Sequence, residues 1–121
     1  MTNAVSWFEI AVSDLERAKK FYESVFNKTM IYMEMPDSKM YMFDGAEDKA
    51  GSMGAIVQST KKPSTEGTMV YFEVEDVATE AALVDANGGK LLFPKTSIGQ
   101  FGFICHFMDT EGNLLGIHSG K

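Results

Sequence analysis

The chain has a single cysteine, Cys105, so no internal disulfide can form, and a reducing cytoplasm is the simplest setting. No apolar run approaches the ~20 residues that a membrane helix needs, so no membrane partner is expected. The first residues, Met1-Thr2-Asn3-Ala4-Val5, carry neither a basic cluster nor a hydrophobic signal core. Positive charge is scarce: 11 Lys and Arg stand against 17 Asp and Glu, a formal net charge of −6. The only doublets are the isolated Lys19-Lys20 and Lys61-Lys62, so there is no basic stripe and nucleic acid is not an expected partner. An acidic surface serves solubility first, and it also favours a cationic ligand. Glycine-rich phosphate loops, a Ser-His-Asp order and paired Cys-x-x-Cys motifs are absent too.

What the chain does have is a repeat. Val12-Ser13-Asp14-Leu15 recurs 62 residues on as Val74-Glu75-Asp76-Val77, Lys28 recurs as Lys90, and Gly54 as Gly116. An internal repeat means two copies of one supersecondary unit related by a pseudo-twofold axis, with any site near the axis lined by equivalent positions. At 121 residues the chain is one domain, residues 1–121, made of repeats over about 4–60 and 67–120. The polar stretch 60–67 joins them. Each copy is too small for a good core of its own, so the two should pack together.

Within each copy the pattern reads βαβββ. Ser6–Val12 is aromatic and β-branched, as strands are. Ser13 and Glu16 fit a capping box for a helix carrying Leu15, Ala18, Tyr22 and Val25 on one stripe and ending near Phe26-Asn27. Strands are expected over 29–35, 39–43 and 54–59, with a polar loop over Asp44–Lys49. In the second copy the strand 68–74 leads to a helix over 76–87, ended by Gly88-Gly89. Strands over 90–94, 102–108 and 114–119 follow, the last two joined by a tight turn at Asp109-Thr110-Glu111-Gly112.

A doubled βαβββ unit of this length resembles the vicinal-oxygen-chelate superfamily, the group of glyoxalases, bleomycin-resistance proteins and extradiol dioxygenases. The helix entry Val12–Tyr22, its end Val25-Phe26, the stretch Leu91–Pro94 and the turn Asp109–Asn113 carry the resemblance. It implies an α+β fold, with two βαβββ repeats forming a curved mixed sheet and helices on the outer face. It also implies a homodimer. In metal-dependent members, a histidine early on the first strand and a carboxylate on the last strand of each half hold the metal. Aligned on that pattern, the positions here fall at Trp7, Met69, Gly54 and Gly116, none of which offers a conventional ligand for zinc, nickel or iron. The expectation is therefore no metal and no cofactor.

Strand alternation puts Trp7, Glu9 and Ala11 on the inner face, with Met69, Tyr71 and Glu73, and with Gly116 and His118. A bulged hairpin at Asp109 would set His106 opposite Gly116. Glu9 is either a cavity carboxylate or a solvated strand-end residue, and its neighbours favour the cavity. Glu73 divides evenly between site and solvent. His106 has a hydrogen-bonded core role as its alternative, and Tyr71 a space-filling one. Cys105 alternates outward toward the helices and reads as a small buried hydrophobe. Met40 and Met42 share a face that suits an apolar channel or a dimer contact. The favoured function is binding of a small hydrophobic or cationic molecule, with Trp7, Glu9, Met69, Tyr71, Glu73, His106 and His118 as contacts. The alternative is an enzyme, using either a displaced metal among His106, His118, Glu9 and Glu73 or metal-free acid–base chemistry at Glu9 and His118.

Overall fold

The computed structural model describes residues 4–45 and 51–121. Its elements run β1 (Trp7–Ala11), α1 (Leu15–Phe26), β2 (Met30–Met35), β3 (Ser38–Phe43), β4 (Met53–Gln58), β5 (Tyr71–Glu73), α2 (Val77–Val84), β6 (Lys90–Ser97), β7 (Phe103–Met108) and β8 (Leu114–Ser119). This is βαβββ twice, in an α+β fold. Hydrogen bonding divides the strands into two four-stranded mixed sheets, ordered β1-β4-β3-β2 and β5-β8-β7-β6. In each, the first strand runs parallel to the fourth and the remaining pairs are antiparallel.

α1 forms because Leu15, Ala18, Phe21, Tyr22, Val25 and Phe26 make one apolar stripe, and all six are buried. It stops at Asn27, which takes the left-handed conformation with φ 52°. Its start departs from the expected Ser13–Glu16 box. Asp14 is the N-cap, accepting from the Arg17 amide at 3.1 Å. Glu16 instead accepts the Tyr41 hydroxyl of β3 at 2.7 Å. The box is displaced because the Ser13 and Asp14 amides already donate to Glu111, at 2.9 and 2.7 Å. In α2 the last turn tightens into a 3₁₀ turn over Asp85–Asn87 before Gly88, φ 93°. β5 is shorter than expected. β6 runs beyond Pro94 to Ser97, because Pro94 lies inside the register shift between Phe93 and Thr96 on an edge strand, where a missing N–H is tolerated. Of the polar loop 44–49, only Asp44 and Gly45 fall within the described residues.

Both halves build one core. The α1 rings reach into the second sheet: Phe26 meets Phe72 at 4.4 Å, Tyr22 meets Phe72 at 5.9 Å, and Phe21 meets Phe107 at 5.9 Å. Phe8 of β1 and Phe72 of β5 meet edge to face at 6.0 Å, which brings together the edge strands of the two sheets. The turn after β7 adds a polar clamp. Asp109 is 3% exposed and accepts the buried Tyr22 hydroxyl at 2.7 Å. Asn113 donates across the halves to the Ala11 carbonyl at 2.7 Å. Glu111, its side chain fully enclosed, grips Arg17 at 2.7 and 3.0 Å.

The two copies do not match at one constant offset. The Val12 amide donates to the Val57 carbonyl, and Val74 donates to His118. The Leu15 amide is capped by Gln58, and Val77 by Ser119. Strand and helix therefore repeat at 62 residues, but the last strand repeats at 61. The counterpart of Gly116 is Ala55, since Tyr71 pairs with Gly116 as Glu9 pairs with Ala55. Gly54 is not that counterpart: a Cβ there would overlap the core ring of Phe8.

Candidate functional site

Alternation gives each sheet a face toward the helices and an open face away from them. On the first sheet the open face is apolar apart from Glu9. Trp7, Glu9 and Ala11 lie beside Met53, Ala55 and Val57, followed by Met42 and Met40 of β3. Met40, Ala55 and Val57 are buried against one another, with Met42 alongside. Met33 stands opposite Met40 on β2. Trp7, 39% exposed, donates its indole N–H to Glu9 at 3.2 Å.

The equivalent positions of the second sheet are polar. One row runs Tyr71, Gly116, His106, Phe93, which fulfils the expected pairing of His106 with Gly116. The Tyr71 ring lies over Gly116, where any Cβ would overlap it. Across that gap the Tyr71 hydroxyl shares a hydrogen bond with His106 Nε2 at 2.8 Å. Phe93 stacks at a tilt on the far side of His106, with centroids 5.5 Å apart. The glycine is thus what allows the phenol and imidazole to meet.

The next row runs Glu73, His118, Ile104, Thr96. His118 Nδ1 lies 2.6 Å from the Glu73 carboxylate, and its Nε2 lies 2.6 Å from the Phe101 carbonyl oxygen. With Glu73 ionised both partners are acceptors, so this geometry suits an imidazolium, whose two ring nitrogens both donate. Accordingly the hydrogen bond to Glu73, then that to Phe101, raises the His118 pKa above its ordinary 6.5.

The expected residues therefore fall into three groups: Trp7 with Glu9, Tyr71 with His106, and Glu73 with His118. Met69 precedes β5, outside the strand and half-buried. Phe93 and the Phe101 carbonyl were not anticipated. The first lay beside the assumed strand end at Pro94. The second is a backbone atom in a 3₁₀ turn over Gly99–Phe101, with no side-chain signal to mark it. Cys105 is fully buried against the helices, and burial pushes its thiol up to about 11, so it is no nucleophile.

These residues do not fit a divalent metal. The structurally equivalent positions are Trp7, Met69, Ala55 and Gly116, without an imidazole or carboxylate among them. His118 has no lone pair to give while both nitrogens donate. Among the described residues, no group of three or more His, Cys, Asp or Glu is placed to hold a metal ion.

A family model described as Glyoxalase/Bleomycin resistance protein/Dioxygenase superfamily matches residues 4–117. A glyoxylase-like domain-containing protein of Didymella fabae is 34% identical over 120 residues, covering 93% of this chain and 91% of its own. Among solved structures, a glyoxylase/bleomycin resistance protein/dioxygenase domain from Frankia aligns over 100% of both chains with a TM-score of 0.72 at 16% identity. A maize glyoxalase I mutant aligns over 95% of this chain with a TM-score of 0.75 at 21% identity. This chain spans 45% of that maize chain.

Proposed function

Because the chain belongs to the glyoxalase/bleomycin resistance protein/dioxygenase superfamily, whose fold hosts many activities, we propose that it binds a small, mainly apolar molecule across its open faces without the superfamily metal. The observation that supports this is the chemical asymmetry of the two faces: thioethers and small aliphatics on the first sheet, hydrogen-bonding pairs at the equivalent positions of the second. Methionine-lined surfaces adapt to varied apolar shapes. Tyr71 and His106 would meet a polar group of the ligand, and Met69 would extend the apolar wall. Glu9 is the carboxylate for a cationic group, with the Trp7 indole beside it, because Glu73 is already neutralised by His118. The apolar side chains left exposed, Trp7, Ile31 and Met33 among them, support pairing of two chains into a homodimer.

The Tyr71–His106 bond favours a second reading, a metal-free acid–base enzyme in which a proton moves between phenol and imidazole. His118 is a poor base on this reading, since neither nitrogen is free. Among the described residues, no helix is long and apolar enough to cross a membrane.

Trp7, the only tryptophan, lies on the proposed surface and reports on it directly. Its fluorescence is to be titrated with a neutral arylamine, an aromatic sulfonate and an aromatic quaternary ammonium dye. Saturable quenching, weakened by Met42→Lys, is the expected result. A flat response to all three dyes overturns the binding reading. Elemental analysis of protein purified without chelator, with melting curves in Ni²⁺, Zn²⁺, Fe²⁺ and Mn²⁺, checks the metal separately. Stoichiometric metal and a rise in melting temperature would overturn the metal-free part.

A further inference from the structure

The loop between β6 and β7 rises from Ile98 and returns at Gly102, where the Ile98 amide donates to the Gly102 carbonyl at 2.8 Å. Gly102 fixes its base: φ is 102°, and a Cβ would overlap the Ser119 carbonyl. The tip, Gly99–Phe101, has local bonds from the Gly102 amide to the Gly99 carbonyl and from the Gly99 amide to Ser97 Oγ. What ties it to β8 is the bond from His118 Nε2 to the Phe101 carbonyl. The tip carries Phe101, a large apolar residue 66% exposed, whose carbonyl lies against His118 on the second sheet's open face.

We propose that His118 is a proton-operated latch, holding the 98–102 loop to the open face while its ring is an imidazolium and releasing it when the ring is neutral. The two acceptors dictate this. A neutral imidazole keeps one N–H, and the carboxylate of Glu73 retains it, because a charge-assisted bond is the stronger. Nε2 then turns a lone pair toward the Phe101 oxygen at a separation of 2.6 Å, where two acceptors repel. The loop moves off while its base stays anchored.

The charges around the ring are few. From β5, Glu73 faces it directly. From β7, Ile104 stands opposite, with His106 two residues along and engaged by Tyr71. From β6, Thr96 completes the row, and the tip itself is Gly99-Gln100-Phe101, without charge. The nearby cations are paired elsewhere, Lys95 with Asp76 and Lys121 with Glu75. Glu73 and the Phe101 carbonyl hold the His118 pKa above 6.5, so the latch is shut at and below that pH and opens as pH rises through the folded value.

The latch is tested on the ligand-free protein by following the His118 ring and the backbone amides of residues 99–102 by NMR from pH 5.5 to 9. The ring should titrate above 6.5, and the loop amides should move with the same midpoint. Glu73→Gln changes an exposed side chain with little risk to folding and should lower both midpoints together. His118→Gln, which can still donate to the carbonyl, should leave the loop flat with pH. Loop amides that ignore the ring's titration, a ring midpoint at or below 6.5, or a loop still titrating in His118→Gln would each overturn the latch. The consequence for ligand access rests on the binding reading. A loop that titrates in a protein that takes up none of the dyes removes that reading and leaves the latch standing.

Discussion

Gly54 and Gly116 look alike in sequence, and each makes room for an aromatic ring on the neighbouring strand, but the rings differ in freedom. Phe8, over Gly54, is wedged between Phe43 at 5.8 Å and Phe72 at 6.0 Å. Tyr71, over Gly116, is 45% exposed and can swing outward. Alanine in a strand interior ordinarily stabilises by roughly 0.5–1 kcal/mol relative to glycine, so any loss reports the overlap. Gly54→Ala should lower folding stability by about 1–3 kcal/mol, the usual cost of overpacking, seen as a lower urea midpoint. Gly116→Ala should leave stability within about 1 kcal/mol of the parent but break the Tyr71–His106 bond, seen as a change in the His106 ring nitrogen shifts. Equal urea midpoints for the two variants would contradict this division. The sequence carried the residues of these rows but not the shortened offset, because one residue lost between helix and last strand leaves no local mark. It matched the two glycines by coincidence, and only the strand register separates them.

At the scale of elements, the turn between β7 and β8 braces the Asp14 cap of α1, an element of the other half. Glu111 takes the Ser13 and Asp14 amides at the helix's positive end and pairs with Arg17. Burial alone would raise its pKa, but the Arg17 bond, then the Asp14 amide, Thr110 and the Ser13 amide, outweigh it and the pKa falls below 4.5. A carboxylate lowered in the folded state adds stability above its unfolded pKa, and that stability is lost as pH falls through the folded value. Glu111→Ala should cost roughly 2–3 kcal/mol near neutral pH, since buried charge-assisted bonds vanish and amides are left unpaired. Its urea midpoint should also fall less steeply than the parent's as pH drops below 4.5. Parallel pH profiles for parent and variant would show that Glu111 does not carry the clamp. Local propensity did reveal both helices, most strand centres and the turn itself. It misplaced the cap because the competing acceptor lies 97 residues away along the chain.

At the scale of the molecule, the repeat made the architecture readable, while the chemistry of the open faces stayed hidden because symmetry relates positions and not residue types. Val57 and Met42 occupy in the first sheet the places of His118 and His106 in the second. The halves have diverged, yet the core gives neither an independent existence: the α1 rings pack on Phe72 and Phe107 of the second half, and the turn at Asp109–Asn113 holds β1 and α1 of the first. Removing either half would strip the other of much of its apolar cover, so the chain should unfold as one unit despite the polar stretch at 60–67. Two natural probes divide this question cleanly. Trp7 is the only tryptophan and lies in the first half; Cys105 is the only cysteine and lies buried in the second. Unfolding in urea followed by Trp7 fluorescence and by pulse alkylation of Cys105 should give coincident midpoints, because the thiol stays enclosed and protonated until the shared core opens. A Cys105 transition that leads or trails the tryptophan transition would mean that the repeats are separate folding units, and that the linker is a true domain boundary.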